Sequence, residues 1–285
     1  MQTIFFSVVI PLYNREKLIL DTLRTIKEQT YQNFEVIIVN DGSTDNSAKV
    51  AEQELKRLAL NGQVLHIKNS GHGAARDHGI QHANGNFLAP IDSDDLWQPK
   101  FLENMVCAIQ AAKELSTRCL FFSDFDLFFE NNTEINKHNS LISFHNLEKK
   151  SIAKNIEHIK TPLFDYLLTE QPIFWGGVTF SRKLYDENGA ISKFIPGKSG
   201  SPVEWEFFLR CAHNGVSGIY INESNTKIRR HDGNMSSELT TQFKGELEIL
   251  KLLPSILTLS TTENKLVKSE VIKRSFDCGY QYFNQ

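Results

Sequence analysis

Through its first third the chain alternates short, uniformly apolar runs with longer segments whose apolar positions recur at helical spacing. FSVVIPL, FEVIIVN, QVLHIK and NFLAPI are the short runs, and they read as strands buried on both faces. REKLILDTLRTIKEQT follows the first, with Ile19, Leu23 and Ile26 on one helical face. The turn DGSTDNS supplies N-cap candidates for AKVAEQELKRLAL, where Ala48, Ala51, Leu55 and Leu58 share a face. GAARDHGIQHA reads as a short helix, and PKFLENMVCAIQAAKEL as a longer one with Pro99 near its first position. Strands separated by helices of this length predict an α/β fold with a mostly parallel central sheet and right-handed crossovers. Ligands of such sheets bind beyond the carboxyl ends of the strands.

The second half is less regular. CLFFSDFDLFF and FWGGVTF read as strands, SGIYI and TKIRRH as a strand pair, and VEWEFFLRCAHNG as a helix closed by Gly215. The polar stretch from Asn131 to Lys160 reads as an insertion, with ENNTEINKHN its clearest loop. FKGELEILKLLPSIL and NKLVKSEVIKRSF form a C-terminal helical appendage. The expected division is a catalytic domain over 1–240, split near residue 100 into a ligand-binding half and a second half, with the appendage over 241–285.

Composition narrows the function classes. The chain has 285 residues, 40% of them hydrophobic, and a net charge of −3. That suffices for one large core and gives no electrostatic footprint for nucleic acid. Cys107, Cys119, Cys211 and Cys278 are scattered without a CxxC pair, so reduced thiols in a cytoplasmic protein are expected. The start, MQTIFFSVVIPLYN, lacks the marks of a signal peptide, and the end, GYQYFNQ, lacks a domain-closing signal, as in a piece of a longer chain. The 131–160 stretch and the C-terminal helices are candidates for binding a second substrate, self-association or peripheral docking on the inner face of a membrane.

The chemistry concentrates at the four predicted strand ends. PLYN offers Tyr13 as an aromatic plate, NDGSTD offers Asp41, NSGHGAARD offers Arg76, and IDSDDLW offers Asp92, Asp94 and Asp95. Three carboxylates within four residues repel one another, more so as water is excluded. A hard divalent cation, Mg2+ or Mn2+, held by one or two carboxylates plus substrate phosphates, reverses that sign. The repulsion predicts a turn that orders poorly until metal and diphosphate arrive together.

The ordered blocks PLYN, NDGSTD, GHGAARD and DSDD resemble the nucleotide-sugar half of family 2 glycosyltransferases, which have the GT-A fold. The resemblance runs from about Ser7 to Pro99 and is weaker beyond. It implies that Pro11, Tyr13 and Asn14 line the base pocket and that Asp41 accepts a hydrogen bond from the base. Arg76 would approach the base or diphosphate, Asp92 and Ser93 the ribose side, and Asp94 the metal. Asp95 would meet sugar hydroxyls or metal-bound water. Asp77 departs from the asparagine of many relatives and adds a charge near the pocket.

In SPVEWEFF, Trp205 registers on the tryptophan of the family's catalytic-base segment, leaving Glu204 at the base position and Glu206 as alternate. IRRHDGNMS resembles the family's later Arg-x-His segment, making His231 a metal ligand and Arg229 or Arg230 diphosphate partners. The resemblance thus implies inverting, metal-dependent sugar transfer from a nucleoside-diphosphate sugar, most often a UDP-sugar. The acceptor hydroxyl would belong to a glycan, a lipid-linked intermediate or a protein, in polysaccharide or lipopolysaccharide synthesis. The alternatives are a degenerate nucleotide- or glycan-binding domain and a sugar nucleotidyltransferase. PLYNREKL lacks the glycine cluster that the latter carries. His66, His72, His78 and His82 read as ordinary solvated residues, and Trp97 and Trp205 as packing anchors.

Overall fold

The computed structural model describes residues 3–129, 132–138, 147–195, 202–231 and 239–283. Strands β1 (Phe6–Leu12), β2 (Phe34–Asp41), β3 (Gly62–Ile67) and β4 (Phe87–Pro90) pair in parallel, in the spatial order β3-β2-β1-β4. Helices α1 (Ile19–Lys27), α2 (Ser47–Arg57) and α3 (His72–Gln81) make the crossovers. The chain steps outward from β1 to β3, then returns to the other side of β1 to form β4. That reversal leaves a crevice beyond the carboxyl ends of β1 and β4.

Beyond β4 the sheet becomes mixed. A two-residue strand β5 (Leu96–Trp97) precedes α4 (Phe101–Ala112), and β6 (Cys119–Phe129) follows. β10 (Val178–Ser181) is antiparallel to both β4 and β6, and β11 (Ser217–Arg230) runs parallel to β6. The carboxyl ends of β6 and β11 therefore reach the same edge as those of β1 and β4.

Three sequence readings are corrected here. SGIYI and TKIRRH are one long strand, β11, whose register against β6 is irregular between Ile221 and Thr226. The polar 131–160 stretch contains strands β7 (Asn132–His138), β8 (Lys149–Ala153) and β9 (Ile156–Ile159), with 131 and 139–146 outside the described residues. Pro99 precedes the Lys100 cap of α4.

The sheet separates two apolar layers by simple alternation. Val8, Ile10, Val36, Ile38 and Phe121 face α1, α2 and α4, while Val9, Leu88, Leu120 and Phe122 face the opposite layer. That layer holds α5 (Leu163–Thr169), α6 (Arg182–Asn188) and α7 (Val203–His213), together with Ile249, Leu250 and Leu253 of α8 (Leu239–Ile256) and Val267 of α9 (Thr261–Phe283). The C-terminal helices thus share a core with α7. Arg274 of α9 reinforces the join by pairing with Glu246 at 2.6 Å and lying 5.2 Å from the Trp205 ring centroid.

Gly79 gives helix α3 room against the sheet; a Cβ there would fall 2.6 Å from Val9 Cγ1. All four cysteines are unpaired. No helix among the described residues is long and apolar enough to cross a membrane.

Candidate functional site

The end of β1 opens the crevice. Pro11 is held in register with Val39, and the strand then releases Tyr13, whose surface is 44% exposed. Asn14 takes a left-handed conformation (φ 50°), from which its Oδ1 accepts the Thr44 amide at 2.8 Å. Its own amide donates to Ser43 Oγ at 3.1 Å. The first and second strand ends are thereby locked together.

Asp41 closes β2 and is buried. Its two oxygens accept the amides of Ser70 at 2.6 Å and Gly71 at 2.8 Å, fixing the chain where it enters α3. Gly42 turns beside it at φ 69°, where a Cβ would meet the Asn69 amide nitrogen at 2.8 Å.

After β4 the acidic turn is met by the protein's own donor groups. Asp92 accepts from Arg76 Nη2 at 2.8 Å. Asp94 Oδ2 lies 3.1 Å from Arg15 Nε and 3.1 Å from His231 Nε2. Asp95, 2% exposed, accepts the Arg229 amide at 3.0 Å. Ser93 is buried between them. The turn expected to wait for a metal is instead already bracketed by Arg15, Arg76, Arg229 and His231. Burial, followed by Asp94 and Asp92, pushes the Asp95 carboxyl well above the usual range, and the Arg229 amide only partly offsets this.

Asp95 and Arg229 also carry structural contacts. Asp95 Oδ1 is bonded to the backbone of β11. Arg229 is buried: it donates to the Asp94 carbonyl at 3.0 Å, pairs with Asp21 at 3.1 Å and lies 4.8 Å from the Phe128 ring centroid. It braces the acidic turn from behind. Arg230 is only partly buried and lies close enough to Asp95 to favour its charged form.

Across the crevice, Glu204 occupies the first turn of α7, a favourable position for an acid. Its Oε2 lies 3.1 Å from Arg76 Nη1 and 4.0 Å from His72 Nε2. Both contacts fall on one oxygen. Glu206 does not join the cluster. It is 1% exposed and its two oxygens receive Arg210 Nε at 2.8 Å and Nη2 at 2.9 Å.

Arg76 is the hub. Its guanidinium carbon lies 4.5 Å from the Trp175 ring centroid while its nitrogens divide between Asp92 and Glu204. Burial opposes its charge, yet the two carboxylates outweigh burial and hold it more firmly protonated than usual.

Arg15 and Trp175 were not picked out from sequence, and His72, read there as an ordinary solvated residue, is only 12% exposed and faces Glu204. Arg15 directly follows PLYN, and His72 stands four residues before Arg76, so both signals were present. The buried Trp97 and Trp205 rings do anchor packing: Trp97 stacks on Phe101 at 4.2 Å, and the Trp205 indole donates to the Leu167 carbonyl at 2.7 Å. The rest of IRRHDGNMS, from 232 onward, lies outside the described residues.

Known proteins share this fold. Staphylococcus aureus TarS 1–349, in complex with UDP-GlcNAc, superposes with a TM-score of 0.69 at 20% identity over 96% of this chain and 73% of that one. The mannosyltransferase PcManGT from Pyrobaculum calidifontis, in complex with GDP-Man and Mn2+, gives 0.67 at 16% identity over 95% and 70%. These matches show the GT-A fold.

In sequence, EpsH of Bacillus subtilis is 42% identical over 106 residues, 37% of this chain and 30% of the relative. The amylovoran biosynthesis glycosyltransferase AmsB of Erwinia amylovora is 40% identical over 114 residues, 39% of this chain and 37% of the relative. The matched stretch thus spans only 30% of one relative and 37% of the other. The family model "Glycosyl transferase family 2" matches residues 7–166, more than half of the chain and every strand end of the parallel half. With its acidic turn, buried arginine and crevice at the sheet reversal, the chain belongs to glycosyl transferase family 2.

Proposed function

We propose that this protein transfers a sugar from a nucleoside-diphosphate sugar, a UDP-sugar by preference, to an acceptor hydroxyl with inversion at the anomeric carbon. The observation that carries the reading is the convergence of Asp92, Asp94, His231 and Glu204 around Arg76 and Arg15 at the sheet reversal. TarS in complex with UDP-GlcNAc and PcManGT with GDP-Man support a nucleotide-sugar donor on this fold. AmsB supports a role in polysaccharide synthesis.

Tyr13 offers its exposed ring to the base, Asp41 a carboxylate to the base's donors, and Asp92 an acceptor to the ribose. Arg15 and Arg230 stand on the diphosphate side. Glu204 is the general base: Oε2 is held by Arg76, and Oε1 makes no hydrogen bond among the described residues. It takes the acceptor's proton as that oxygen attacks the anomeric carbon, and the nucleoside diphosphate departs from the opposite face. A positioned base contributes about 10²–10⁴-fold in rate. Alignment of the two substrates supplies much of the remainder.

The donor set fits a divalent cation. Asp94 and His231 present oxygen and nitrogen 3.1 Å apart, and no group of three or more metal-ligating side chains occurs among the described residues. Two protein ligands completed by diphosphate oxygens is the usual pattern for Mg2+ or Mn2+. The PcManGT complex with Mn2+ supports it. Such an ion, when bound, supplies Lewis-acid stabilisation of the leaving diphosphate. The test is release of nucleoside diphosphate from a panel of UDP-sugars with Mn2+; no release from any donor, with acceptor glycans present, rejects the reading.

A further inference from the structure

Asp77 follows Arg76 on α3 and is 5% exposed, yet among the described residues it forms no ion pair. Its carboxylate instead collects four hydrogen bonds from one stretch of chain. Oδ1 accepts from Tyr185 Oη at 2.8 Å and the Ile191 amide at 2.7 Å. Oδ2 accepts from the Ser192 amide at 2.9 Å and Ser192 Oγ at 2.5 Å. Burial and Asp77 together hold the Tyr185 phenol well above its ordinary pKa, so it remains a donor.

The same stretch is gripped from its other side. Arg210 of α7, already paired with Glu206, donates to the carbonyls of Asn188 and Ala190. Helices α3 and α7 are therefore joined twice. One join is direct, from Arg76 to Glu204. The other runs from Asp77 through residues 188–192 to Arg210. On α7 these two points are six residues apart, about 9 Å of helix. Two points of attachment fix the direction of a helix, where one leaves it free to pivot.

We infer that Asp77 is a positioning residue for Glu204, acting through the 188–192 segment and Arg210. The inference deepens the proposed function and rests on Glu204 being the base. It has a chemical corollary. All four partners of Asp77 are donors, two to each oxygen. An asparagine satisfies one pair with its carbonyl and turns an NH2 group against the Ser192 amide. In this chain Asp77→Asn is a disruptive change despite its equal size.

Hydrogen exchange on the full chain tests the coupling without reference to activity. Asp77→Asn should speed exchange at Ile191 and Ser192 and also through residues 203–210 by at least 10-fold. Faster exchange at 191–192 alone, or at neither site, overturns the inference. Tyr185→Phe, which removes one donor and keeps the carboxylate, should give the same pattern more weakly and guards against a misfolded Asp77→Asn. Kinetics give the second arm, with UDP and Mn2+ as binding probe. Asp77→Asn should lower kcat at least 10-fold, leave UDP affinity within 2-fold, and add less than 2-fold in a Glu204→Gln background. An equal loss in both backgrounds overturns the positioning role. Wild-type protein without turnover rejects the proposed function instead, and the exchange arm still decides the coupling.

Discussion

Asp92 and Glu204 lie on opposite sides of the crevice, and one guanidinium joins them: Arg76 reaches Asp92 at 2.8 Å and Glu204 at 3.1 Å. The side chain of Arg76 is 3% exposed, against 29% for Asp92 and 25% for Glu204. The cation is buried and its partners face the opening. This orientation leaves each carboxylate a free side toward a ligand.

Arg76→Lys tests the bridge. An ammonium is a point charge without the planar fork that spans two carboxylates. Breaking a buried pair costs about 3–5 kcal/mol, and the partial exposure of both partners places this one near about 3. The expected result is a lower urea midpoint and a kcat reduced at least 10-fold, measured by chemical denaturation and by nucleoside diphosphate release.

Asp94→Asn addresses the metal reading. The proposed pair of protein ligands loses its only carboxylate, while Arg15 and His231 stay in place. Calorimetry with UDP should show Mn2+-dependent affinity in the wild type and none in the variant. Affinity that responds to Mn2+ equally in both removes Asp94 from the metal site.

Glu35 sets an acid limit on stability. It anchors the amino edge of the sheet, accepting from Ser7 Oγ at 2.6 Å and from the Asn84 amide at 2.5 Å. Burial raises its pKa, but the hydrogen bonds from Ser7, Asn84 and Gly85 outweigh burial and depress it. A depressed carboxylate stabilises the fold above its unfolded value, about 4.3, and loses that contribution as pH falls through the folded value. Wild type should therefore exceed Glu35→Gln in stability at pH 7, and the gap should close below pH of about 4. Denaturant midpoints across that range check the sign.

Leu253 tests how far the C-terminal helices belong to the core. It is fully buried in the layer that also holds Trp205 and Phe164. Leu253→Ala should cost about 2–5 kcal/mol. A loss under about 1 kcal/mol in urea unfolding would mean that α8 is only loosely attached.

The parallel half of the fold was legible because its strands are buried on both faces and leave continuous apolar runs, as in FSVVIPL and FEVIIVN. The strands β7 and β8 were not, because NTEINKH and KKSIA carry the polar composition of an edge rather than a buried alternation. The acidic turn, Asp41 and Glu204 were legible because ordered motifs mark them. Their neutralisation was not. Arg15 meets Asp94 across 79 positions, Arg76 meets Glu204 across 128 and Asp77 meets Ser192 across 115, and no local period records such pairs. Electrostatic repulsion read from IDSDDLW alone therefore predicted a loose turn where the fold supplies cations.

Glu204→Gln tests the central claim most directly. The amide keeps the size of the side chain and can still accept from Arg76, but it cannot take a proton. With a UDP-sugar that the wild type turns over, and Mn2+ present, the variant should bind UDP within about 3-fold of wild type. Its nucleoside diphosphate release should fall by about 10²-fold or more. Transfer at the wild-type rate in Glu204→Gln would contradict the account, because no other carboxylate in the crevice would then be barred from the role.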